Sequence, residues 1–143
     1  EYTEMGREAT EVIGARHRLN IKVGECDFNK LTMDNMGIPK GGVVFTSYAM
    51  HYMPKLSDLF VDYLMQLRPK VVINFEPCYE HKSNSIYAMM CKKYIEINDY
   101  NTDMGIVLDA QFRKRNIKNK IKMNVFGSNP FLPISIFEWH PNS

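Results

Sequence analysis

Two polar residues that could do acid–base chemistry lie just after, or at the end of, apolar runs of the sequence. His51 follows the run at residues 42–47, and Glu76 closes the run at residues 71–75. An imidazole titrates at roughly pH 6.5 and can remove a proton near neutral pH. A carboxylate at the same rim could accept a proton, bind a substrate amine or hydroxyl, or hold the imidazole. His51 and Glu76 are therefore the predicted catalytic residues.

Each of these residues also has a purely structural interpretation. His51 stands among Met50, Tyr52 and Met53, where it could pack at the start of a helix. Glu76 could cap the helical region that follows it or pair with Lys82. The sequence leaves both alternatives open.

Composition and charge limit the class of protein. The 143 residues are 45% hydrophobic and 24% charged, with a net charge of +2. These values exclude a disordered tail, a collagen-like chain and a disulfide scaffold, and they fit one domain spanning residues 1–143. The charge is too balanced to indicate a nucleic-acid binder by itself.

The cysteines and the apolar runs indicate a cytoplasmic protein. Cys26, Cys78 and Cys91 are an odd number without CxxC spacing, so we expect a reducing compartment and no local zinc site or other metal. The longest apolar runs are too short to span a bilayer, and no signal peptide stands at the amino end. We therefore expect no membrane partner.

The elements that must position these residues follow from hydrophobic periodicity. Helices are predicted at residues 4–17, 56–67 and 84–115, the last interrupted near residues 98–101. Strands are predicted at residues 20–28, 42–47, 71–75, 120–126 and 134–139. The short connection between the last two strands predicts an antiparallel hairpin. Helices alternating with apolar strands are typical of an α/β sheet with helices on both faces.

The order of these segments resembles the class I S-adenosylmethionine-dependent methyltransferases. Residues 43–54 resemble the fourth-strand motif of that family, residues 68–77 the fifth strand and its turn, and residues 127–139 the closing hairpin. Residues 23–28 resemble the end of the third strand. The resemblance implies a Rossmann-like, mostly parallel sheet whose last strand returns antiparallel beside the fifth, with S-adenosylmethionine as the cofactor.

The resemblance also implies binding residues. Asp27 would approach the adenine amino group and Phe28 would cover the ring, although Asp27 could instead form a turn or a cap. Glu1 falls where an acidic residue usually holds the ribose hydroxyls. The remaining residues expected around the cofactor and the substrate are Thr46 and Ser47 for the cofactor, and Tyr48, Tyr79 and His81 for the substrate.

The resemblance covers only the latter part of the family domain. No glycine-rich loop precedes a helix in this sequence, so we expect an incomplete domain that lacks the first strands. The strands at Ile21 and Val43 would then lack the strands between them and expose unpaired backbone groups. Upstream residues or a partner chain would be needed to complete the sheet.

Methyl transfer to an oxygen or nitrogen of a small molecule is the function that the resemblance implies. A noncatalytic α/β interaction domain without cofactor binding is the alternative, and an unrelated doubly wound protein is a third. The basic run at residues 113–122 invites a nucleic-acid partner. It lies at a predicted helix end without interleaved aromatic residues, so a solvated face is expected instead.

Overall fold

The computed structural model describes residues 4–21, 23–24, 40–80 and 83–141. Contacts divide the chain into two compact units, Glu1–Gly37 and Ile38–Ser143. Within the described ranges, no helix is long and apolar enough to cross a bilayer.

The described part of the first unit is built around helix α1, Glu4–His17. The helix ends where Arg18 adopts a left-handed conformation, with φ of 54°, and the Leu19 N–H donates to the carbonyl of Gly14 at 2.9 Å. This Schellman motif satisfies carbonyl groups that the last helical turn leaves unpaired. Four apolar residues of α1 are all exposed: Met5, Ala9, Val12 and Ile13.

The second unit contains a four-stranded mixed sheet. Its strands are β1 (Val43–Ser47), β2 (Val71–Pro77), β3 (Lys118–Phe126) and β4 (Ile134–His140). They are arranged in the order β1-β2-β4-β3. The β1–β2 pair is parallel, whereas β4 runs antiparallel to both β2 and β3.

Three helices and a short turn accompany this sheet. They are a 3-10 turn at Met50–Tyr52, α2 (Phe60–Gln66), α3 (Ile86–Ile97) and α4 (Met104–Arg115). Alternate residues of the central strands β2 and β4 are buried and contribute to the core, where the Trp139 ring of β4 packs at 5.3 Å from the Phe112 ring of α4.

A chain of buried polar groups crosses three strands of the sheet. The Trp139 indole N–H donates to Asn74 Oδ1 at 3.1 Å, and Asn74 Nδ2 donates to the hydroxyl of Thr46 at 3.1 Å. The Thr46 hydroxyl in turn faces the sulfur of Met50 at 3.4 Å. Because an unpaired polar group in a core is costly, these bonds stabilise one alignment of β4, β2 and β1.

Most of the predicted elements are confirmed. The helix at residues 4–17, the strands at 42–47, 71–75, 120–126 and 134–139, and the antiparallel hairpin all occur, with bounds that differ by two residues or fewer. The predicted break in the long helical stretch separates α3 from α4. The expectation of an α/β protein is therefore confirmed.

Two predictions about individual elements differ from the structure. The helix predicted from Leu56 begins at Phe60, because the Leu56 N–H donates to the Asp103 carboxylate at 3.1 Å and is held outside the helix. The strand predicted at residues 20–28 is not formed by the residues of that stretch that the structure describes, residues 20, 21, 23 and 24.

The described sheet is mixed rather than mostly parallel, since two of its three pairings are antiparallel. The cause is the position of β4, which lies between β2 and β3 and reverses direction relative to both. In this part of the chain β1 is an outer strand, paired with β2 on one side.

Candidate functional site

The carboxyl ends of β1 and β2 meet at one edge of the sheet because the two strands are parallel, with Ser47 beside Phe75. The amino end of β4 reaches the same edge, with Ile134 beside Pro77. The loops that follow β1 and β2 therefore gather here with the β3–β4 connection. In open α/β sheets, ligands bind outside the carboxyl ends of the strands, so this edge is the candidate site.

Glu76 and His51 lie together at this edge. The two carboxylate oxygens of Glu76 accept from the Ala49 N–H at 3.1 and 3.0 Å, and the side chain is fully buried. His51 Nδ1 lies 3.5 Å from Glu76 Oε2, and His51 is 2% exposed. This separation is longer than a well-formed hydrogen bond, but catalytic contacts are often loose before a substrate binds.

The backbone turns sharply after β1 to make this contact. Tyr48 has a φ of 49°, a left-handed conformation that a tyrosine rarely adopts, and its N–H continues the strand pairing by donating to the Phe75 carbonyl at 3.1 Å. The next N–H, that of Ala49, then points to Glu76. Backbone strain of this kind costs about 1–3 kcal/mol and tends to occur at functional sites.

Tyrosine side chains enclose the His51 ring. The rings of Tyr48, Tyr52 and Tyr100 lie 5.7, 4.0 and 4.8 Å from it, centroid to centroid. Tyr94 of α3 continues the group at 6.4 Å from Tyr100. We call these four residues the tyrosine cluster. Tyr52 is 64% exposed, so it is the outer cover of the imidazole.

Asn101, between α3 and α4, fixes the turn that carries His51. Its backbone N–H donates to the His51 carbonyl at 2.8 Å, and its side-chain amide donates to the Met53 carbonyl at 3.0 Å. Its Oδ1 accepts from the N–H groups of Asp103, the N-cap residue of α4, and of Met104, and so pairs the first N–H of the helix. Sequence reasoning placed a helix break here but did not identify Asn101, and a cap residue before an apolar periodic segment was the available signal.

Of the remaining predicted site residues, some lie at the candidate site, some are bonded elsewhere, and some fall outside the described ranges. Thr46 is buried and its hydroxyl is used inside the sheet, whereas Ser47 is exposed at the end of β1. The Tyr48 hydroxyl faces the Leu132 carbonyl at 3.4 Å, within the candidate site. Tyr79 is turned toward α3, where its hydroxyl donates to Glu96 at 2.7 Å. The other predicted residues lie outside the described ranges: Glu1, Asp27, Phe28 and His81.

Cys78 follows β2 but has the environment of an unreactive thiol. Burial, and then the charge and hydrogen bond of Glu80, raise the pKa of Cys78 far above its usual value. Its Sγ donates to Glu80 Oε2 at 2.7 Å. Since the thiolate is the nucleophilic form, Cys78 has the surroundings of an inert thiol. Among the described residues, no cluster of three or more His, Cys, Asp or Glu side chains could hold a metal ion.

Comparisons of this chain with protein-family models, curated proteins and solved structures return no significant match.

Proposed function

We propose that this chain is part of an S-adenosylmethionine-dependent methyltransferase that acts on an oxygen or nitrogen of a small molecule. The observation that carries the proposal is the contact between His51 and Glu76 at the edge where β1 and β2 end. The position of β4, antiparallel beside β2, supports it because the family resemblance implies the same position for the last strand.

His51 is the proposed general base. Its Nδ1 faces Glu76, which leaves Nε2 to take the proton from the acceptor hydroxyl or amine. Glu76 would hold the imidazole in this orientation and stabilise the imidazolium that forms, as a carboxylate behind a histidine base does. Bound S-adenosylmethionine would supply the electrophilic methyl group. Positioning the acceptor beside that methyl group and removing its proton are the tasks left to the protein.

The acceptor can reach His51 only if its cover moves. The Tyr52 ring lies 4.0 Å from the imidazole, centroid to centroid and tilted by 38°, and it is largely exposed, so its side chain can rotate outward without disturbing the core. We propose that the acceptor takes the place of the Tyr52 ring. The ring of Tyr100 would then form one wall of the acceptor site.

The residues proposed for the cofactor remain Glu1, Asp27, Phe28, Thr46 and Ser47, with Tyr48, Tyr79 and His81 for the acceptor. Of the two hydroxyls that end β1, that of Ser47 is exposed and that of Thr46 is bonded inward. Ser47 is therefore better placed than Thr46 to contact a ligand.

Calorimetric titration with S-adenosylmethionine and with its demethylated product tests the assignment. The protein should include any residues of its natural chain upstream of Glu1. If neither compound binds, the methyltransferase assignment is wrong.

If the compounds bind, His51→Ala should lower turnover about a hundredfold or more while changing cofactor affinity little, because the lost group acts on the proton. Glu76→Gln should act in the same direction. His140→Ala, in the last strand, is the control and should leave turnover near the wild-type value. Unchanged turnover in the His51 and Glu76 variants would remove both residues from the catalytic mechanism.

A noncatalytic interaction domain is the second candidate, and the surface of β1 favours it. Val43 and Phe45 are 58% and 68% exposed on an outer strand of the described sheet. Exposed apolar residues beside a free strand edge are typical of a surface that pairs with further chain. Such a surface is also expected if upstream residues or a partner complete the methyltransferase sheet, so cofactor binding is the measurement that separates the two candidates.

A further inference from the structure

A cavity of about 400 Å³ lies between α4 and the strands β3 and β4. Ligand-binding clefts in proteins begin at about 300 Å³. None of the described residues that line the cavity belongs to the tyrosine cluster or to the His51–Glu76 pair. It is therefore a candidate site separate from the one proposed above.

Most of the cavity wall is apolar, and a carboxylate side chain lies at one end of the cavity. Ile106 of α4, Ile121 and Met123 of β3, and Phe137 of β4 contribute the apolar side chains. Glu80, which follows β2, contributes the carboxylate. An apolar wall with one or a few placed polar groups is the usual composition of a small-molecule site.

The Glu80 carboxylate is held in one orientation. Oε1 accepts from the Ile106 N–H at 2.9 Å, and Oε2 accepts from the Cys78 thiol at 2.7 Å. Gly105 allows this approach, because a Cβ at that position would lie 2.8 Å from Glu80 Oε2. A fixed carboxylate loses little conformational freedom when a ligand binds, which favours affinity.

The charges of the wall favour a cation. Besides Glu80, the charged residues that line the cavity are Asp109 and Arg113, and these two form an ion pair at 2.9 Å. Their charges offset each other, so the negative charge of Glu80 remains. A carboxylate can accept about four hydrogen bonds, and the two described above leave acceptor positions for a ligand.

We propose that this cavity binds a small primary amine with an apolar body. The ammonium group donates to Glu80, and the body packs between α4 and the Met123 and Phe137 side chains. This inference does not depend on the proposed methyltransferase activity, because it uses other residues and requires no cofactor.

Titration of the protein with 3-phenylpropylamine, followed by NMR, tests the proposal. The matched ligand is 3-phenylpropan-1-ol, which has the same body and no charge. The amine should bind at least about tenfold more tightly, as expected for a hydrogen bond to a charged group. The amide signals of Gly105 and Met123 should shift on binding. Equal affinity of amine and alcohol, or no binding of the amine, would overturn the proposal.

Two variants locate the site. Glu80→Gln should weaken amine binding about tenfold or more and leave alcohol binding unchanged, since the amide keeps the shape and loses the charge. Met123→Trp should fill the cavity and weaken the binding of both ligands. Because Met123 lies on the outer strand β3, this substitution leaves the contacts of Glu80 in place and the variant should fold. Glu138→Gln, on the opposite face of β4, is the charge control. Amine binding that survives Met123→Trp would place the site elsewhere and overturn the proposal.

Discussion

Glu76 and Glu80 are four residues apart, Glu76 near the end of strand β2 and Glu80 in the loop that follows it, yet they occupy opposite environments. Each accepts a hydrogen bond from a backbone N–H, that of Ala49 for Glu76 and that of Ile106 for Glu80. Glu76 is fully buried beside an imidazole, whereas Glu80 is partly exposed at a cavity and bonded to a thiol. The same functional group is therefore under different physical constraints in the strand and in the loop that follows it.

The difference shows two environments in which a protein can hold a carboxylate. Glu76 is removed from water, so nearby donors must replace its hydration, and the loss of any partner is costly. Glu80 lies at the amino end of α4, where the helix dipole favours a negative charge, and the cavity leaves it open to a further donor. We expect Glu76 to tolerate substitution poorly and Glu80 to tolerate it well.

The largest effect is expected for Glu76→Ala. The substitution removes both acceptors of the Ala49 N–H and leaves the buried His51 without its carboxylate, so the free energy of unfolding should fall by about 3 kcal/mol. Urea denaturation measures it. Glu138→Ala, at a partly exposed position, should change stability by less than about 0.5 kcal/mol. Equal losses in the free energy of unfolding for the two substitutions would mean that the buried contacts of Glu76 do not stabilise the fold.

An intermediate effect is expected for Gly105→Ala, which probes the packing of Glu80. Alanine favours a helix over glycine by about 1 kcal/mol, but its Cβ would lie 2.8 Å from Glu80 Oε2 and 2.9 Å from Cys78 Sγ. Crowding of this kind costs about 1–3 kcal/mol, so we expect a net loss near 1 kcal/mol by urea denaturation.

A double-mutant cycle isolates that contact. In a Glu80→Ala background, Gly105→Ala should be close to neutral or stabilising, because the crowded oxygen is gone. An identical loss in both backgrounds would show that Glu80 is not the group that excludes a side chain at position 105.

The last effect is similar in size to that of Gly105→Ala and concerns the pH dependence of stability that comes from the thiol bonded to Glu80. The pKa of Cys78 is raised above 9.0 in the folded protein by burial and by Glu80. Above pH 9, the unfolded chain releases this proton while the folded chain retains it, so the contribution to stability falls as pH rises. The expected loss is about 1 kcal/mol per pH unit above pH 9.

Cys78→Ser is the matched variant, because the serine hydroxyl can still donate to Glu80 but does not ionise in this pH range. Thermal melts between pH 8 and pH 10 should show a smaller loss of stability for Cys78→Ser than for the wild type. Parallel pH profiles would contradict a raised thiol pKa in the folded state.

The sequence could predict the meeting of His51 and Glu76, because both follow strands that were expected to be parallel neighbours. Apolar runs and turn residues were sufficient to predict the strands of the described sheet, the hairpin and the break between α3 and α4. The same reasoning could not predict the tyrosine cluster, since Tyr94 and Tyr100 come from a helix and a loop more than 40 residues after His51. Nor did it indicate that Tyr79, three residues from Glu76, would bond to α3.

The cavity at Glu80 was also beyond sequence reasoning. Tyr79 and His81, on either side of Glu80, were expected around the substrate, but a direction cannot be assigned to a loop side chain without its partners. The absence of a side chain at Gly105 decides where Glu80 points, and that position is 25 residues further along the chain.

Trp139, which begins the buried chain of polar groups, is an intrinsic fluorescent reporter of the core. Trp139 is the only tryptophan among the 143 residues, and it is fully buried where β4 bonds to β2 and packs on α4. Its fluorescence therefore comes from one place in the core. A shift of its emission toward longer wavelengths would mark the moment at which water reaches the centre of the sheet.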